Sequence, residues 1–198
     1  MLLAHINNNQ VKPHWMKEAL HGYILMRKGA EYENKYNKYG RAYITLHHAY
    51  KEALKANDVP HTDIAQICLW IGISLNENLD IHPFTKRNEG ALKWYKLGLH
   101  YLSKEKVHNK EFVLLQASLY NSIGVAYHHK TTRWTTGGPI PQSAIRNYNK
   151  ARDIIIAYPQ YKSEFAIIAE KIESNSGRQV LINGGGVFYT HGGNYACI

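Results

Sequence analysis

Apolar residues along this chain recur mostly at intervals of three and four, the spacing that lines one face of a helix. The run EALHGYILM keeps that spacing and predicts a helix from Trp15 to Lys28, opening after Pro13. A second, Tyr39 to Asn57, sets Tyr43, Leu46, Tyr50, Ala53 and Leu54 on neighbouring faces, and Pro60 is expected to stop it. HTDIAQICLWIGISLNEN predicts a third, with Thr62 or Asp63 as its N-cap. Glu89 to Lys104 turns Leu92, Tyr95, Leu99 and Leu102 inward, and Lys110 to His129 is a long helix. Pro141 suits the first turn of a helix reaching Ala157, and Tyr161 to Ser174 is a seventh. DIHPFTKRNEG and KTTRWTTGGPIP read as loops by their Pro, Gly and Thr content.

The third helix carries a glycine, Gly72, inside the apolar run ICLWIGISL. Mid-helix glycine costs about 1 kcal/mol against alanine, so its presence asks for a reason. Gly22 and Gly124 are its counterparts, at spacings of 50 and 52 residues. Each is followed 19 or 20 residues later by an alanine near the start of the next helix: Ala42, Ala91 and Ala144. Four and seven residues beyond these stand Leu46 and Ala49, Tyr95 and Gly98, and Tyr148 and Ala151. The chain therefore reads as three copies of one helix-turn-helix unit. A small–large–small stripe on the second helix of each faces a glycine on the first, which permits close approach.

This pattern resembles the tetratricopeptide repeat family over roughly residues 15 to 175. The resemblance implies an all-α solenoid of three extended helix pairs, stacked right-handed, with the first helix of each pair (helix A) lining the inner face. Units of about 15–64, 65–116 and 117–160 and a capping helix at 161–175 would form one domain, 1–175. Family units are about 34 residues. The copies here are longer, and the surplus falls between helices A and B, in GAEYENKYNKYG, LDIHPFTKRNEG and KTTRWTTGGPIPQ. The tail, 176–198, is distinct: QVLI and VFYT flank NGGG, a hairpin signal.

Composition narrows the function. A net charge of +9 favours acidic partners, nucleic acid or an anionic membrane surface. Two cysteines, Cys68 in the apolar run and Cys197 near the C-terminus, make no disulfide framework and suit a reducing intracellular compartment, cytoplasmic or organellar matrix. MLLAHINNNQ lacks the form of a signal peptide, and no apolar run approaches a membrane span. His47–His48 and His128–His129 are sequence neighbours, which point about 100 degrees apart on a helix and do not chelate one ion. INGGGV lacks the Lys-Ser/Thr pair of a phosphate loop, and no nucleophile elbow is present. No catalytic, metal or cofactor residue is expected.

The repeat arrangement points instead to a partner-binding groove on the A helices. Met16, Ala19, Tyr23 and Arg27 face it from the first unit, Gln66, Leu69, Ile73 and Asn76 from the second, and Ser118, Asn121, Val125 and His128 from the third. The set lacks the Lys/Arg clamp by which chaperone-binding members of the family hold a terminal carboxylate, so an apolar or aromatic protein segment suits it better. Basic residues recur in the A-to-B connections: Lys35 and Lys38, Lys86 and Arg87, Lys130 and Arg133. These predict a basic edge, and with it an alternative role contacting RNA or an acidic protein within a larger assembly.

Overall fold

A computed structural model describes residues 12–31, 36–78, 84–131 and 140–161, with Ser163, Ala166, Ala169 and Glu170. Its described elements are six α-helices and a short 3-10 turn: α1 His14–Glu31, α2 Tyr36–Lys55, α3 His61–Glu77, α4 Phe84–Leu102, α5 Lys110–Thr131, α6 Gln142–Ala157, and the turn Pro159–Tyr161. The described residues are all-α, and adjacent helices pack in consecutive pairs, α1 on α2, α3 on α4 and α5 on α6. Two compact units result. Met1–Lys106 holds the first two pairs, joined by α2 against α3, and Val107–Cys197 holds the third. Most of the seventh helix expected at 161–175, and all of the tail hairpin expected beyond it, lie outside the described residues.

The glycines sit where the pairs close. A Cβ on Gly22 would lie 2.5 Å from Cγ of Leu46; on Gly72 it would overlap the ring of Tyr95, and on Gly124 the ring of Tyr148. Leu46, Tyr95 and Tyr148 are buried, as are Ala42, Ala49, Ala91, Ala144 and Ala151 around them. The small–large–small stripe is thus the inner face of each second helix. The same glycine-to-large-side-chain contact recurs in all three pairs, which is why the helix-propensity loss is tolerated at each.

Helix starts share a device. Pro13, Pro60 and Pro141 each precede a helix, and their carbonyls accept its first N–H groups: Met16 and Lys17 on Pro13, Asp63 and Ile64 on Pro60, Ile145 on Pro141. A proline costs a helix nothing here, since the N–H it lacks would be unpaired. Pro60 is therefore the start of α3 and not the stop of α2, which ends at Lys55. Neither Thr62 nor Asp63 caps α3 through its side chain, and Pro60 occupies the cap position. The orphan N–H of Thr62 is taken by Oε1 of Glu105, beyond α4, at 3.1 Å. A carboxylate at that end also complements the helix dipole. At α5, Asn109 caps by accepting from the N–H of Phe112 at 2.9 Å.

The first two A-to-B connections are shorter than the sequence suggested, because the extra residues lengthen helices. α1 continues to Glu31, and α2 starts at Tyr36 and buries Tyr39. α4 starts at Phe84, five residues before the expected Glu89. Its first turns are held by the Arg87 guanidinium, whose Nη1 donates to the carbonyl of Asn78 at 3.1 Å just past the end of α3.

Candidate partner-binding faces

α3 is buried almost from end to end; from Asp63 to Asn76 only Ile73 keeps intermediate exposure. Of the groove residues expected on it, Gln66, Leu69 and Asn76 are buried. On α1, Met16 and Ala19 are buried, Tyr23 is half-buried and Arg27 is exposed. The Tyr23 ring lies against Trp70 of α3, centroids 4.7 Å apart, so the first two A helices touch through an aromatic pair. On α5, Asn121 and His128 are buried, whereas Ser118 and Val125 are half-exposed. The expected groove set therefore divides: Met16, Ala19, Gln66 and Leu69 are packing residues, and the accessible members are Tyr23, Arg27 and Ile73 in the first unit and Ser118 and Val125 in the second.

Two buried groups on these faces are not satisfied by the chain. Asn76 donates through Nδ2 to Oε1 of Glu77 at 3.1 Å, yet its Oδ1 has no hydrogen-bond partner. Oδ1 of Asn121 has none either. A buried acceptor without a donor is destabilising by about 1–3 kcal/mol. Residues 66, 69, 73 and 76 share one face of α3, and 118, 121, 125 and 128 one face of α5. Each face sets an orphaned amide oxygen three or four residues from a half-exposed aliphatic, Ile73 or Val125.

The basic edge is rearranged. Lys38 lies in α2, Lys86 and Arg87 in α4, and Lys130 in the last turns of α5, so none of these is a loop residue. Lys35 and Arg133 lie outside the described residues. Arg87 is buried and lost to any basic surface; burial lowers its affinity for the proton, partly offset by the charge of Glu77. The reason is the same helix extension, which draws that stretch into the α3–α4 contact.

The positive charge collects on the second helices instead. In α2, Lys38, Arg41, Lys51 and Lys55 stand against Glu52. In α4, Lys86, Arg87, Lys93 and Lys96 stand against Glu89. α6 has Arg146, Lys150 and Arg152 against Asp153, while α3 has two acids and no lysine or arginine. Among the basic residues of α2 and α4, Arg41, Lys51, Lys55, Lys86, Lys93 and Lys96 are exposed.

Between α2 and α4 runs a row of six half-buried rings. Tyr43 stacks on His47 with centroids 5.7 Å apart, and His47 meets Trp94 edge-on at 5.6 Å. Trp94 meets Tyr50 at 5.0 Å, Tyr50 meets Tyr101 at 6.4 Å, and His61 lies over Tyr101 at 6.1 Å. The Tyr50 and Tyr101 hydroxyls are hydrogen-bonded at 3.1 Å, and Lys104 Nζ sits 4.9 Å from the Tyr101 ring centre. Burial, then the Tyr101 hydroxyl, pushes the Tyr50 phenol up, and burial, then Lys51, pushes the His47 imidazole down. On the α1 side of α2, Glu18 Oε2 accepts from Nδ1 of His48 at 2.6 Å, with His14 Nδ1 at 3.6 Å.

Among the described residues no group of three or more His, Cys, Asp or Glu side chains is placed to hold a metal ion, and no helix is long and apolar enough to cross a membrane. Cys68 is a buried free thiol, pushed up by desolvation. Compared with protein-family models, with curated proteins and with solved structures, the chain matches none of them. Sequence reasoning missed the aromatic row, although its signal was present: Tyr43, His47 and Tyr50 recur at i, i+4 and i+7, and Trp94 and Tyr101 at i and i+7.

Proposed function

We propose that this protein is a non-catalytic interaction module, an adaptor or assembly subunit that receives an apolar or aromatic segment of a partner protein on the exposed face of its A helices. The observation that carries this reading is the pairing of an orphaned amide oxygen with a half-exposed aliphatic on one helix face: Asn76 beside Ile73, and Asn121 beside Val125. A partner main chain brings N–H donors of the kind those oxygens lack, and its apolar side chains cover Ile73 or Val125. The tetratricopeptide-like packing of small against large residues supports the same reading, since it holds rigid the backbone from which Ile73 and Val125 emerge. In the first unit, Tyr23 and Arg27 extend the surface toward α1. A reducing intracellular compartment fits a chain whose Cys68 is a buried free thiol.

Selection of a displayed peptide library on the full chain tests it. Selected peptides should bind Ile73→Glu and Tyr23→Ala at least about tenfold more weakly, a change of about 1.4 kcal/mol, while the variants keep the parent's melting temperature. Peptides that bind both variants as they bind the parent would place the site elsewhere.

A further inference from the structure

We propose that the α2–α4 face of the first unit binds single-stranded nucleic acid, with bases stacking on the aromatic row and phosphates met by the lysines beside it. This surface is separate from the A-helix face and does not depend on the adaptor reading. Two independent observations carry it. The first is the row itself: six rings from Tyr43 to His61 follow one another at centroid separations of 5.0–6.4 Å, and all keep partial exposure. Rings that served only to close α2 on α4 would be covered as Tyr95 and Tyr148 are. The second is charge. With the buried Arg87 left out, α2 carries an excess of three basic residues and α4 an excess of two, whereas α3, packed against both, has two acids and no lysine or arginine. Lys51 stands four residues from His47 on the same side of α2 and acts on its imidazole, and Lys104 lies over Tyr101, so exposed ammonium groups flank the row at two points, with Lys93 exposed elsewhere on α4. An aromatic platform with cations tracking it is the arrangement that holds an unpaired strand without reading its sequence, because every base has a stacking face and every nucleotide a phosphate.

The occupant that competes is an acidic peptide, for which the exposed Ile44 on α2 would be an apolar anchor. The charge pattern suits it equally; the length of the ring row favours the strand. Fluorescence anisotropy with the full chain separates the two, using labelled oligo(U) and oligo(dT) of about 20 nucleotides, a duplex of equal length, and an oligo-glutamate peptide. Single strands should bind more tightly than the duplex. Preference for oligo(U) would mark RNA as the natural strand and equal affinity a strand of either sugar. Affinity should fall with salt between about 50 and 200 mM, and Lys51→Glu with Lys104→Glu should reduce the log–log slope by about 0.7 per lost phosphate contact. Tyr43→Leu and Trp94→Leu keep apolar bulk but remove a stacking face, so each should weaken binding about fivefold or more, and Ile44→Ser should leave it unchanged. The proposal is overturned by absence of binding to either oligonucleotide at about 50 mM salt. Tighter binding of the acidic peptide than of either strand overturns it as well, as does indifference of strand binding to Tyr43→Leu and Trp94→Leu in variants that melt like the parent.

Discussion

Replacing Gly72 by alanine sets two terms of opposite sign against each other. In an unobstructed helix the change is stabilising by about 1 kcal/mol, because alanine is the better helix former. At Gly72 the added methyl would overlap the Tyr95 ring, and that ring is only 2% exposed, so it has no free volume into which to swing. Relief requires α3 and α4 to move apart, and overpacking of this kind costs about 1–3 kcal/mol. The expected net is a loss of up to about 2 kcal/mol, or a melting temperature lowered by up to roughly 8 °C for a chain of this size. Gly90 supplies the control. It also lies inside a helix, α4, but a methyl there would meet Cδ1 of Leu75 at 3.5 Å, an ordinary contact. Gly90→Ala should therefore stabilise by about 1 kcal/mol. Thermal and urea unfolding followed by circular dichroism read both signs. If Gly72→Ala rises in step with Gly90→Ala, the close-approach account of the repeated glycines is wrong.

Asn88 is fully buried and neither Oδ1 nor Nδ2 has a hydrogen-bond partner within the chain, so Asn88→Leu should raise stability by about 1 kcal/mol or more in urea unfolding; a loss would show that the amide is satisfied after all. The imidazole of His47 is pushed below its ordinary value, so the unfolded chain binds the proton more readily. Stability contributed by this group is complete above about pH 6.5 and is lost as pH falls toward the folded value. His47→Gln should lose less melting temperature than the parent between about pH 7.5 and 5.5, and an identical slope would remove the assignment. Cys68 should resist maleimide in the native protein and react once denatured, read by mass spectrometry in a Cys197→Ser background; rapid native labelling would contradict its burial.

The pair closures were legible because they depend on side-chain size at fixed offsets, which sequence displays directly. Gly72 and Tyr95 stand 23 residues apart, too far to share one helix, and the near-equal offset of 24 from Gly22 to Leu46 and from Gly124 to Tyr148 identified the contact. Helix starts were misread at Thr62 because the group that satisfies its N–H, Glu105, lies far along the chain, and local capping rules do not look there. The charged stretch TKRNEG looked like a loop for a similar reason. Its helical state depends on Arg87 finding the Asn78 carbonyl, a partner set by tertiary contact. Groove residues suffered from a different ambiguity. Helical spacing places Gln66, Leu69, Ile73 and Asn76 on one face, but it does not say how deeply that face is covered, and on α3 only Ile73 emerges.

The hydrogen bond from Thr62 to Glu105 has a topological corollary. Chain enters the α3–α4 pair at one end of that bond and leaves it at the other, so the pair begins and finishes at nearly the same point in space. A segment with coincident ends can be excised, or followed by a copy of itself, without forcing the flanking chain to take a new route. The Gly–Tyr closure travels inside the segment, and so does the carboxylate that takes the N–H of Thr62 in the first turn of its first helix. A duplication of this kind carries the pair's own closure with it, and the face that α3 turns to α2 is the one surface each new neighbour has to meet.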